Sequence, residues 1–291
     1  MKRTHVFLVT AALVLFCGTS SARANWTTLD FPGATSTSIH GIDGDNIVGY
    51  YYDGSKGHGF LYDGSTWTTL DYPGAGSSTT SAWGVDGSNI VGYYFNSTST
   101  HGFIYDGTNW TTLDHVGAIR THVFGIDGFI VVGHHYNSTT QSGFTGLLPL
   151  NHPSADYTHV YDIDGTNHVG HYYDGKGYGF LYDGTTWTTI DKTDAAYTYA
   201  FGIDGDNIVG YYGDISSAHG FLYNGTSMIT LDYPGANRTN AIGIDGSTIV
   251  GYYSDDTGTH GFVYTIPAPG AFILGSIGLA GIGWLRRRRT I

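Results

Sequence analysis

His40-Gly41-Ile42-Asp43-Gly44-Asp45-Asn46-Ile47-Val48-Gly49-Tyr50-Tyr51, then His58-Gly59-Phe60-Leu61-Tyr62-Asp63-Gly64, then Trp67-Thr68-Thr69-Leu70-Asp71: this stretch returns with substitutions about every 40 residues up to Thr265. A fixed period of that length marks a repeat architecture. Its Ile/Val-Asp-Gly element falls at Asp43, Asp86, Asp127, Asp164, Asp204 and Asp245, with gaps of 43, 41, 37, 40 and 41 residues, which makes six units. Each unit holds four short apolar runs divided by Gly, Asp, Asn or Ser. In the second these are Ala82–Val85, Ile90–Tyr94, Gly102–Tyr105 and Trp110–Leu113. Asp-Gly dipeptides such as Asp86-Gly87 and Asp106-Gly107 accept the positive φ of tight hairpins. Each unit therefore reads as a four-stranded antiparallel meander.

The middle strands are apolar at both parities, as in Ile47-Val48-Gly49-Tyr50-Tyr51, so both faces of each small sheet are expected to be covered. Radial stacking of blades supplies that cover. The array begins with a lone fourth strand, Trp26-Thr27-Thr28-Leu29-Asp30, and stops after a third strand, Gly261-Phe262-Val263-Tyr264. Pairing those two segments closes a ring and removes an exposed edge. The expected fold is all-β: a six-bladed β-propeller of four-stranded antiparallel blades over residues 25–265, the N-terminal strand completing the last blade. Units three and four are the least regular. Ser142 to Leu150 replaces both outer strands and their Trp in unit three, and Asp162 replaces the Gly before Ile-Asp in unit four.

Composition bounds the function. All 24 acidic residues are Asp, and residues 25–265 set them against five Lys and Arg, a net −19. Such a body repels phosphate backbones, so nucleic acid is not an expected partner. The single cysteine, Cys17, lies in the leader, so no disulfide framework exists. Residues 1–24 have the basic start, apolar core and small-residue end of a secretory signal peptide, with cleavage expected after Ala24. In the tail, residues 266–291, Ile266-Pro267-Ala268-Pro269-Gly270 precedes the apolar run Ala271–Leu285 and then Arg286, Arg287, Arg288 and Arg289. The reading is an apolar helix entering the membrane with its arginines on the cytoplasmic side and the body outside.

The triplets and turns resemble the HAF-type extracellular repeat over residues 26–264, with His-Gly-Phe at His58, His101, His219 and His260, and Ser142 and Tyr178 in place of His in units three and four. The resemblance implies a secreted repeat protein and no particular reaction. The tail resembles a PEP-CTERM-type sorting tail of Gram-negative envelope proteins, read and removed by an exosortase; Pro267 and Pro269 flank Ala268, where that motif has Glu.

No catalytic set emerges: there is no Ser-His-Asp spacing, phosphate loop or Cys ligand, and no Asp pair is singled out as a glycosidase needs. Asp43 and Asp45, with Asp204 and Asp206, resemble part of a calcium loop without its terminal Glu. Asp before Gly is equally what a turn selects, and turn structure is the expected role. No other cofactor is expected. The triplet histidines, like His134, His135 and His171 at Tyr positions, are expected to pack or to bond strand ends. The segments Tyr62–Trp67, Asp106–Trp110 and Asp183–Trp187 resemble the Asp-box turn of sialidase-type propellers, itself structural. The Tyr- and Trp-rich surface suits polysaccharide or envelope-protein recognition. The functional expectation is an exported, non-catalytic binding or structural component of extracellular matrix. The alternatives are a polysaccharide-acting enzyme on the same scaffold and a linear β-repeat adhesin.

Overall fold

A computed structural model describes residues 25–267 apart from 74 and 76–78. Ala24 with the leader, and Ala268, Pro269 and Arg286 to Arg289 with the tail, lie outside the described residues; Pro267 is the last within them. Strand β1 (Asn25–Thr28) comes first. Unit one is β2 (Ser36–Asp43), β3 (Asn46–Tyr52), β4 (Gly57–Tyr62) and β5 (Trp67–Leu70). Unit two is β6 (Thr80–Asp86), β7 (Asn89–Phe95), β8 (Thr100–Tyr105) and β9 (Trp110–Leu113). Unit three is β10 (Arg120–Asp127), β11 (Ile130–Tyr136), β12 (Gln141–Thr145) and β13 (Leu148–Pro149). Unit four is β14 (Tyr157–Asp164), β15 (Asn167–Tyr173), β16 (Gly177–Tyr182) and β17 (Trp187–Ile190). Unit five is β18 (Tyr197–Asp204), β19 (Asn207–Gly213), β20 (Ala218–Tyr223) and β21 (Met228–Leu231). Unit six is β22 (Arg238–Asp245), β23 (Thr248–Asp255) and β24 (Gly258–Thr265).

Consecutive strands of a unit pair antiparallel. Unit six takes its fourth strand from β1, with Trp26 opposite Tyr264 and Thr28 opposite Phe262. The borrowed strand reproduces its counterparts side chain by side chain. Trp26 packs edge-on to Phe262 at 4.9 Å, as Trp67 does to Phe60 at 5.0 Å and Trp187 to Phe180 at 4.8 Å. Those phenylalanines are fully buried, and burial of each contributes roughly 2–3 kcal/mol. The outer strands of unit three survive in shortened form, contrary to the expectation of their loss: β12 pairs β11, and β13 is a two-residue edge where Pro149 is tolerated.

Each first strand carries a bulge one turn before its Asp, as between Ile39 and Gly41. The bulge presses the first strand onto the second, where Gly49 stands; a Cβ there would lie 2.2 Å from Ser38 O and 2.8 Å from the Phe60 ring. Only glycine fits under that phenylalanine. The first strands lie innermost, each beside the first strand of the next unit, and β22 returns beside β2. A chain of equivalent bonds follows this circuit. The carboxylates of Asp43, Asp86, Asp127, Asp164 and Asp204 accept from the N–H of Gly87, Gly128, Gly165, Gly205 and Gly246 at 2.6–2.8 Å. Asp245 then accepts from Gly44 at 2.7 Å, and the circuit closes on unit one, which removes the linear-array alternative.

Candidate functional site: the aromatic front mouth

The inner strands all run one way. Their first residues open on one face, here the front, and their Asp-Gly turns stand on the back. Every Lys and Arg of residues 25–267 is on the front: Lys56 and Lys176 in second-to-third-strand hairpins, Lys192 in the loop before β18, and Arg120 and Arg238 opening β10 and β22. The back face carries Asp and no Lys or Arg.

Down the axis, side chains of consecutive inner strands form a belt. His40 stacks on Trp83 at 3.9 Å, Trp83 meets Phe124 at 4.6 Å, Phe124 meets Tyr161 at 5.1 Å, and Tyr161 stacks on Phe201 at 4.1 Å. His40 donates from Nδ1 to Ala82 O, and its burial pushes its pKa down to about 4. Beside the belt is a small void of about 40 Å³, lined by the glycine layer of the inner strands and by Asp162.

Above the belt the mouth has two unlike halves. In units three and four it is built of imidazoles: His134 stacks on His159 at 3.7 Å, with His122 at 4.9 Å from His134 and His171 at 4.8 Å from His159. Burial holds all four below the ordinary histidine range, His122 at about 4 and His159 at about 3. His159 donates from Nε2 to Gln141, whereas Nδ1 of His122, His134 and His171 has no partner among the described residues.

In units five and six the same positions are Tyr199, Tyr211, Tyr252 and Asn240, and a cavity of about 310 Å³ opens among them with Tyr197 and Arg238. Its origin is local. At one equivalent position near the end of the second strand stand Tyr52, Phe95, Tyr136 and Tyr173 in units one to four, but Gly213 and Ser254 in units five and six. Ser254 lines the space where units one to four carry a ring. Burial and neighbouring tyrosines push Tyr199 and Tyr252 up to about 12 and Tyr211 well up, so all three are neutral O–H groups. The cavity has the volume of a small ligand pocket and the mixture of aromatic walls and few polar groups typical of one. Its lining includes no carboxylate.

The residues singled out from sequence fall elsewhere. Asp43 and Asp204 hold the inter-unit clasp on the back face, and Asp45 and Asp206 are exposed in the same turns. Among the described residues no three His, Cys, Asp or Glu side chains are grouped to hold a metal. The triplet histidines bond strand ends: His58, His101 and His219 donate from Nδ1 to Asp71, Asp114 and Asp232, and His260 to Asp30 of the borrowed strand at 2.7 Å. His134 and His135 pack as expected of tyrosine substitutes, His135 stacking on His115 at 3.9 Å. In the Asp-Gly-Ser-Thr turn Asp63 accepts from Ser65 N and Thr66 N, which is a structural role. Sequence reading missed the cavity; the loss of the ring at Ser254 was its signal.

No protein-family model matches the sequence, and no curated protein matches it. Solved structures do. The β-propeller domain of the Trilobed protease from Pyrococcus furiosus, described as having an open velcro topology, superposes with a TM-score of 0.52 at 10% identity, over 79% of this chain and 95% of that one. Pyrococcus horikoshii acylaminoacyl peptidase gives 0.48 and Trypanosoma rangeli sialidase 0.44, each at 10% identity. They cover 81% and 82% of this chain, which spans 46% and 55% of theirs. At such identity the first likeness is one of fold. With the strand ladders it defines an all-β protein of the β-propeller class.

Proposed function

We propose that the chain is an exported, envelope-associated six-bladed β-propeller that binds saccharide at its front mouth as a non-catalytic component of extracellular matrix. The six units and their circuit of Asp-Gly bonds support the blade count. The observation that carries the binding reading is the tyrosine-walled cavity of units five and six, with its free polar groups and no carboxylate. Aromatic faces with hydroxyl tips stack on sugar rings and bond their hydroxyls. The six carboxylates of the back-face circuit, by contrast, are each taken up by a backbone N–H, an arrangement of structure and not of acid–base chemistry.

Asn25 pairs with Thr265, so both leave on the face opposite the mouth. A glycan array probed with the full chain in a sugar-free non-ionic detergent, with and without calcium, tests the reading. Saccharide binding lost on Tyr211→Ala and Tyr252→Ala is the expected result. A blank array in both conditions, or binding indifferent to those changes, overturns it; binding only with calcium adds the cation to the site.

A further inference from the structure

We propose that the cavity between units five and six selects a carboxylate-bearing sugar, a uronate unit of an acidic polysaccharide, with Arg238 as its counter-ion. The inference rests on the saccharide reading above and narrows it to one chemical class.

Residues 25–267 hold 24 Asp and five Lys and Arg, so pairing every cation is easy. Lys56 pairs with Asp71 at 3.4 Å and Lys176 with Asp191 at 2.8 Å, and Lys192 sits over the Tyr212 ring. Arg120 and Arg238, which open the inner strands of units three and six, have no carboxylate within ion-pair distance among the described residues, and of the two it is Arg238 that lines the cavity. A guanidinium presents a planar fork that matches a carboxylate in two parallel bonds.

The remaining groups complete a sugar site. The hydroxyls of Tyr199, Tyr211 and Tyr252 and the amide of Asn240 have no hydrogen-bond partner in the protein among the described residues, and all of them line the same space. Tyr197 donates its O–H to Asp214 O, which fixes its ring as a wall. Tyrosine faces take the apolar face of a pyranose, hydroxyls and the amide take its O–H groups, and Arg238 takes the one negative charge. The acidity of the body sets the scale of that charge. Beyond about 8–10 Å salt screens the surrounding Asp, while a contact pair with Arg238 is screened far less. A single carboxylate per sugar therefore gains at contact more than it loses at a distance, whereas a dense polyphosphate meets repulsion along its whole length.

The test titrates the full chain, in the same detergent, with an oligogalacturonate and with its methyl ester, which removes the charge and keeps the sugar. The acid form is expected to bind about tenfold or more tightly than the ester, as a charge-assisted pair requires. That preference shrinks as salt rises. Arg238→Ala and Arg238→Gln, both at an exposed strand start, abolish the preference. Tyr211→Phe and Tyr252→Phe weaken both ligands alike. Equal binding of acid and ester, or a preference that survives both Arg238 variants, overturns the carboxylate assignment while the saccharide reading stands. If neither oligosaccharide binds and the glycan array is also blank, both fall together.

Discussion

Asp162 occupies a place in the axial glycine layer where the other inner strands have Gly41, Gly84, Gly125, Gly202 and Gly243. A Cβ on Gly41 would stand 2.3 Å from Trp83 O, which shows how closely the inner strands approach. Asp162 fits because its carboxylate accepts from Ile203 N at 3.1 Å beside the axial void. Burial pushes its pKa up to about 7. A raised acid pKa favours the fold fully below the unfolded value near 4, and that advantage is lost as pH rises through 7. The buried histidines have the opposite sign. With His40 and His122 at about 4 and His159 at about 3, their contribution is complete above 6.5 and lost as pH falls through 4. Several histidines outweigh one aspartate over that window, so the melting temperature of the wild type is expected to fall from pH 6.5 to 4. Asp162→Asn keeps the acceptor and removes the charge. It is expected to stabilise at pH 8 by on the order of 3–4 kcal/mol and to change nothing at pH 4. Melting curves of both chains across pH check this; an equal offset at all pH values rules out the buried charge.

At the scale of the element, each loop into an inner strand is tied by one buried hydroxyl. Thr37, Thr80, Thr121, Thr158, Thr198 and Thr239 accept from the N–H of Phe31, Tyr72, His115, His152, Lys192 and Tyr233 at 2.8–3.0 Å. All six threonines are 0–2% exposed, so no water replaces a lost bond. Thr158→Val is isosteric and strands the N–H of His152. The expected cost is about 1–3 kcal/mol, read as a lower denaturation midpoint at unchanged slope. A midpoint equal to wild type would show that the loop finds another acceptor. Five of the loops also deliver a ring onto a second-strand ring, as Phe31 on Tyr51 and Tyr233 on Tyr253 at 3.7 Å, and the loop into unit five sets Lys192 over Tyr212, so this bond positions a stacked pair as well.

At the scale of the molecule, closure depends on six N-terminal residues. β1 covers the edge of β24, Trp26 covers Phe262 and Tyr264, Thr28 bonds Tyr233 and Tyr253, and Asp30 holds His260. Deleting residues 25–30 exposes a free edge strand over an uncovered apolar face, the arrangement that seeds association. The deletion is expected to run as oligomers on size exclusion. Moving Asn25–Asp30 to follow Thr265 through a turn copied from Asp63–Thr66 is expected to restore the elution position of the unaltered chain. A monomeric, fully stable deletion would mean that the circuit of Asp-Gly bonds holds the ring alone.

The repeat period, the four strands per unit, the Asp-Gly turns and the matched halves at the chain ends were all legible in the residues. Each is carried by neighbours within one unit or by one segment missing its counterpart, and strand period and turn chemistry are local properties. The partners of the Asp carboxylates, the acid-free Arg238, the imidazole stack and the tyrosine cavity were decided by the tertiary structure. Asp43 reads as a turn residue until unit two sets Gly87 against it, and the cavity exists only where Tyr197, Tyr199 and Tyr211 of unit five face Arg238, Tyr252 and Ser254 of unit six. Contacts between units depend on which repeats the ring makes adjacent and how closely their backbones approach, and no span of sequence inside one repeat encodes that distance.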